Sequence, residues 1–388
     1  MGSSTQRVLL TIVISVAVLV AWQYFFASKE PPPAQQGQQG QQAGQAGDAG
    51  EGPARPKPEP ARAEQDSAAA RASGDKAEGE DGAGERAAGW EGKDTTIDTP
   101  EAVARFTTVG GALRSWTFKN PRFQEQRKGG KLAPIDLVRV DRGPWPLTTT
   151  FPDSDFEVPE DAAFERTRAS KREVMYRWAS SKVRVHKHYV VDRARSVVWM
   201  TLTVRNLTDE KLRQRLRVSL FNQQDPGEGK AGFTNPYPRI ATVLCHINGE
   251  LERRSAAAIR GEDTGCSAAG CGMGEGPVNQ TGEVLWIGSD AQYFLTSVIP
   301  LDLDENRRCE LSQPRQDVVR ADLLFPEKQL LPGKTTTRRF AIFVGPKDLE
   351  QLDMVEGPEG GEVKLSESIQ FGMFAILCRP MLWLMKQF

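Results

Sequence analysis

Two histidines, His186 and His188, sit two residues apart in VRVHKHYVVD. On a strand that spacing puts both rings on one face, where a metal ion could be held. No carboxylate stands beside them in sequence, so an exposed polar ladder accounts for them better than a metal site does. The five cysteines offer a second chemistry. Cys266 and Cys271 are separated by four residues in the Gly-rich stretch TGCSAAGCGMGEGP, and outside the cytoplasm such a pair predicts a disulfide. Cys245 and Cys309 remain for a second bridge, with Cys378 left over. Free thiols, or a zinc site including His246, are the alternatives, although the spacing of a four-ligand zinc site is not met. No serine lies in a G-x-S-x-G context and no glycine loop has the phosphate-cradling pattern. The acidic residues are scattered, and no pair is placed together by spacing. We therefore expect no catalytic residue, no metal and no cofactor.

The elements that would position such residues are unevenly distributed. Val8 to Phe26 is an uncharged run of 19 residues. As a helix it measures about 28 Å, enough for a hydrocarbon core of about 30 Å. Arg7 precedes it and Trp22 and Tyr24 close it, which predicts an anchor (1–27) with a cytoplasmic N-terminus and an aromatic interface belt. Bulky Tyr24, Phe25 and Phe26 stand where a cleaved leader needs small residues. From Ala27 to Gly89 there is no Val, Ile, Leu, Met, Phe, Tyr, Trp, Thr or Cys. Such a chain cannot bury enough apolar surface to offset its ordering entropy, so 28–93 reads as a disordered Pro/Gln/Gly/Ala-rich tether.

Apolar residues return at Trp90 in short β-type runs. AVARFTTV, Gly110-Gly111 and ALRSWTFK read as a hairpin with Leu113, Trp116 and Phe118 facing the core. VRVHKHYVVD, VVWMTLTVRN and LRVSLFN come next, with Leu207–Arg213 as a connection, and then EVLWIGSD, YFLTSVIP, DVVRADLLF and TTTRRFAIFVG. A short helix is expected over Lys347–Leu352. The class is all-β, of sandwich type, over 94–355. Ile369 to Phe388 is apolar apart from Arg379 and Lys386, seven residues apart and so on one helix face. With Trp383 among its apolar residues, this run suits an amphipathic helix in the bilayer interface (366–388). The chain stops inside it without a polar tail, which predicts a truncated reading frame. With 50 basic and 51 acidic side chains there is no basic footprint for nucleic acid.

Several segments together resemble the YidC family of membrane-protein insertases. RFTTVGGALRSWTFK is similar to the opening hairpin of its periplasmic domain, and VRVHKHYVVDRARSVVWMTLTVRN to the long β pair after it. WIGSDAQYFLTSVIP (Trp286–Pro300) is similar to that domain's most recognisable motif, and LLPGKTTTRRFAIFVGPKDLEQL to its last strand and short helix. SIQFGMFAILCRPMLWLMKQF is similar to the amphipathic helix leading to a second transmembrane segment. The stretch Cys245–Gly282 departs from the family pattern. The resemblance implies a periplasmic supersandwich and location in the bacterial inner membrane. It implies insertion and folding of nascent membrane proteins, alone or beside the Sec translocon and its SecDF-type subunits. It also implies that the groove-bearing insertase core is missing from this chain, which alone would not insert proteins. A membrane-anchored carbohydrate-binding or epimerase-like β protein is the alternative.

Overall fold

A computed structural model describes residues 90–126, 131–193, 195–224, 239–262, 274–303 and 306–369. The expected anchor, the tether up to residue 89, Trp22, Tyr24, the Cys266–Cys271 pair and the terminal run with Arg379, Trp383 and Lys386 lie outside the described residues. The expected tether's last four residues, Trp90 to Lys93, instead belong to the folded domain, because the Trp90 ring packs edge-on against Trp145. Among the described residues no helix is long and apolar enough to cross a membrane.

The described chain is all-β. It opens with β1 (Asp94–Asp98), β2 (Ala102–Thr107) and β3 (Leu113–Phe118), then a small ribbon of β4 (Gln124–Gln126) and β5 (Leu132–Pro134). Next come β6 (Thr148–Thr150), β7 (Glu165–Ala169), β8 (Glu173–Ala179), β9 (Val183–Val191) and β10 (Val197–Asn206). Then come β11 (Leu212–Gln214), β12 (Arg217–Gln223), β13 (Thr242–Ile247), β14 (Glu250–Ser255) and the helical turn α1 (Ala256–Ile259). Strands β15 (Val278–Gly282), β16 (Val284–Ala291), β17 (Phe294–Pro300), β18 (Arg307–Arg315) and β19 (Val318–Leu324) precede β20 (Lys328–Leu330) and β21 (Thr335–Pro346). The short helix α2 (Leu349–Asp353) and two 3-10 turns, Pro358–Gly360 and Leu365–Ser368, complete it.

These strands form a nine-stranded antiparallel sheet in the order β14-β13-β16-β17-β21-β10-β9-β8-β7, and a five-stranded one in the order β15-β18-β19-β12-β6. β1, β2 and β3 make a third, smaller sheet. Alternation in β9 is strict: Val183, Val185, Lys187, Tyr189 and Val191 are buried, and the residues between them are half-exposed. This period of two is what a strand with one covered face requires. The core lies between the two larger sheets, where Val198, Met200, Leu202, Phe340 and Ile342 meet Val218, Leu220, Ala321 and Leu323.

The opening hairpin forms as expected from its pattern, with one irregularity. Arg105 pairs with Ser115, but Phe106 pairs with Leu113, so Arg114 is an extra residue. That bulge flips the register and lets Leu113, Trp116 and Phe118 all be buried, although simple alternation would separate them. Gly110 and Gly111 both have positive φ, 65° and 53°, a conformation a β-carbon disfavours. The connection Leu207–Arg213 is partly a strand, since Leu212 to Gln214 pairs with Lys328 to Leu330. The expected helix starts two residues later than its pattern suggested, because Asp348 caps it by accepting from the Glu350 and Gln351 amides.

Candidate functional site

The outer face of the nine-stranded sheet is divided. Over β13, β16, β17 and β21 the chain beyond β21 folds back and builds a second apolar cluster. Leu352, Val355, Val363 and Leu365 cover Leu244, Trp286, Leu295, Ile299, Ala341 and Phe343. Trp286 donates its indole N–H to the Val363 carbonyl at 2.8 Å. His246, fully buried, meets the Glu367 carboxylate at 3.0 Å.

Charge closes this cover. Asp290, at the end of β16, is buried between Arg253 and Lys347. The guanidinium of Arg253 contacts one carboxylate oxygen, and Lys347 Nζ lies 2.7 Å from the other. Both cations also donate to the Ser368 carbonyl, Arg253 at 3.0 Å and Lys347 at 3.2 Å. Burial pushes the Lys347 amine below its usual range, with Asp290 pulling the other way and Arg253 adding to the depression. A buried ion pair of this kind contributes little net stability, but losing one partner strands the others. The arrangement therefore pins the Ser368 carbonyl, and with it the end of the returning segment, against the sheet.

A second polar constellation holds the opening hairpin. Lys187 is fully buried, and among the described residues no carboxylate pairs with it. Its Nζ donates to the carbonyls of Gly110 at 2.6 Å and Leu147 at 2.9 Å and lies 5.2 Å from the Phe164 ring centroid. Tyr189, two residues on, donates to the Gly111 carbonyl at 2.7 Å. Burial drives the Lys187 amine well down and the Tyr189 phenol well up.

The third constellation is on the outward side of the five-stranded sheet. Asp322 has no exposed surface. It accepts from Ser219 at 2.5 Å and is flanked by Arg320 Nε at 2.7 Å and Arg217 Nε at 3.8 Å. Burial raises its pKa to about 6 against the lowering effect of the two arginines. Such a perturbed carboxylate is a candidate acid. Its complete enclosure denies a bound sugar access, so it does not supply the proton exchange an epimerase needs.

His186 and His188 do share the open half of the large sheet's outer face. His188 meets the Glu173 carboxylate at 2.8 Å from the neighbouring strand, a partner that sequence spacing did not reveal. Among the described residues no group of three or more His, Cys, Asp or Glu could hold a metal. Cys245 and Cys309 form a disulfide, with Cα atoms 6.5 Å apart. It joins β13 to β18 and so ties the two large sheets together, in place of any zinc site built on Cys245. A cleft of about 360 Å³ beside α2 is lined by Glu101, Ser196, Phe343, Gln351 and Met354. Ser196 is hydrogen-bonded there to Gln351 at 3.2 Å.

The motifs noted in the sequence converge on these places. Asp290 lies in WIGSDAQYF, Lys347 in GPKDLEQL, and Lys187 in VRVHKHYVV. A family model described as the YidC periplasmic domain matches residues 94–384. A protein named membrane protein insertase YidC from Syntrophus aciditrophicus is 26% identical over 395 residues, covering 98% of this chain and 65% of its own length. One of the same name from Citrifermentans bemidjiense is 22% identical over 301 residues, covering 76% of this chain and 51% of its own length. This chain thus spans about half to two thirds of the length of these relatives. A galactose mutarotase-like protein from Lactobacillus casei superposes with a TM-score of 0.40 at 10% identity, over 65% of this chain and 100% of that one. Because the family match runs through all the described strands, the chain belongs to the YidC periplasmic-domain family.

Proposed function

We propose that this chain is the membrane-mounted, extracytoplasmic part of a bacterial membrane-protein insertase. The observation that carries the reading is the family match over residues 94–384. In this reading 1–27 is an inner-membrane anchor with a cytoplasmic N-terminus and 28–89 is a tether. Residues 90–369 are a periplasmic supersandwich with its returning cover, and the run after 369 is an interfacial helix. The disulfide between Cys245 and Cys309 supports the periplasmic side, because such bridges persist in oxidising compartments.

The β domain acts as a scaffold rather than as a reaction centre. The charge cluster at Asp290 holds the departing chain at Ser368, so the interfacial helix starts from a rigid sheet and not from a floppy linker. The partners are nascent membrane proteins and the Sec translocon with its SecDF-type subunits.

Photo-crosslinking in cells tests this. A benzoylphenylalanine placed at exposed sites of the full chain should capture arrested nascent membrane proteins or Sec subunits. Periplasmic protease should reach the β domain in spheroplasts. Crosslinks only to soluble exported proteins, or a domain reached solely from the cytoplasmic side, would overturn it.

A further inference from the structure

The half of the nine-stranded outer face not covered by the returning chain carries an uncompensated positive charge. Arg184 on β9 stands directly opposite Arg205 on β10. Side chains so paired are about 5 Å apart at their β-carbons, and like charges there repel. Among the described residues neither arginine is in an ion pair, whereas neighbouring Arg177 and Arg339 have Glu165 and Asp302. His186 lies between Arg177 and Thr203 in the register. Burial first, and then the nearby charges of Arg184 and Arg177, hold it below its ordinary pKa. Trp199 sits on the same side of β10, four register positions from Thr203, and is 38% exposed.

Position adds to charge. Trp199 is opposite Ala341, and Ala341 belongs to the apolar cluster covered by the returning chain. The cationic patch and the covered half are therefore one continuous face. Ile369, the last described residue, packs against that face, and in sequence it opens an apolar run long enough to lie on a bilayer.

We propose that this open face, centred on Arg184, Arg205 and Trp199, docks against the anionic headgroups of the bilayer to which the chain is attached. The arginines meet phosphate, and the indole takes the amphipathic level that tryptophan favours at membrane interfaces. The domain then lies with its large sheet towards the membrane. This rests on the membrane-mounted reading above.

The chain contains three histidines, which makes acylation by diethyl pyrocarbonate a local probe. His186 and His188 report the face, and fully buried His246 serves as an internal control. The full chain would be reconstituted in phosphatidylcholine vesicles with or without 30% phosphatidylglycerol, and modification read by mass spectrometry. Flotation with both vesicle types tests attachment, and so separates failure of that reading from failure of the docking. With attachment equal, His186 and His188 should be protected several-fold more by anionic vesicles, and 0.5 M salt should remove the difference. Arg184→Glu with Arg205→Glu should abolish it, each arginine near an anionic surface being worth roughly five-fold in the docking equilibrium. Equal protection by both lipids, or protection that survives the double reversal, overturns the proposal. Protection already complete in lipid-free detergent would also overturn it, in favour of the chain's own terminal run as the cover.

Discussion

Breaking the bridge between Cys245 and Cys309 should weaken the fold by an amount that its place in the chain sets. The bridge closes a loop across 64 positions. In the loop-entropy model that restriction raises the free energy of the unfolded chain by about 4 kcal/mol. Both cysteines are fully buried, one in each of the two facing sheets, so the loss falls on the contact between the sheets. With a urea dependence of about 2–3 kcal/mol per molar, the unfolding midpoint should drop by roughly 1.3–2 M. The assay is urea unfolding of the full chain in mild detergent, monitored by tryptophan fluorescence. Because the bridge is buried, reduction should be carried out on the unfolded protein before refolding. The double variant Cys245→Ala with Cys309→Ala should be measured beside it. Reduction leaves two thiols and alanine leaves small cavities, so a drop common to both belongs to the bridge. A midpoint change below about 0.3 M in both samples would refute the reasoning.

The buried charges give three further outcomes. Asp290→Asn strands Arg253 and Lys347 and should cost about 3–5 kcal/mol; limited proteolysis should then cut between residues 355 and 369 before it attacks the sheets. For Lys187 the amine is depressed in the folded state, so the unfolded chain binds the proton more readily. Stability should therefore rise with pH from the folded pKa towards about 10.4, and Lys187→Met should flatten that rise in urea titrations between pH 7 and 10 while leaving two carbonyls without their donor. Asp322 has the opposite sign. Its pKa of about 6 exceeds the ordinary 3.8, so the folded state holds the proton more tightly. Stability should fall by roughly 2 kcal/mol as pH rises from 4 to 6, and a slope unchanged in Asp322→Asn would show that this carboxylate is not the source.

Strands β8, β9 and most of β10 were legible because their period of two is regular, and the Gly-Gly turn was legible because two positive φ values leave few residue types. The bulge at Arg114 was not, since nothing in ALRSWTFK marks the slipped pair. Nor were β13 and β14 expected as sheet partners, because TVLCHI has no alternation once both of its faces are covered. The charge clusters were hidden for another reason. Asp290, Arg253, Lys347 and the Ser368 carbonyl come from four separate stretches of chain, and only the sheet topology brings them together. The same holds for Glu173 and His188, which face each other across two strands. The cysteine bridge was one of two pairings that the sequence left open.

The last strand of the large sheet, β7, is exposed at all five of its positions. Its sequence is ERTRA, its pairing with β8 is interrupted between Arg166 and Arg168, and Arg168 and Glu165 reach across to Glu173 and Arg177. An edge so short, charged and kinked gives an extended foreign peptide no straight row of amides to pair with. For a domain that would stand beside half-made membrane proteins, this matters as much as any contact it makes. In that setting, unfolded segments would pass along its flank without being recruited as a tenth strand.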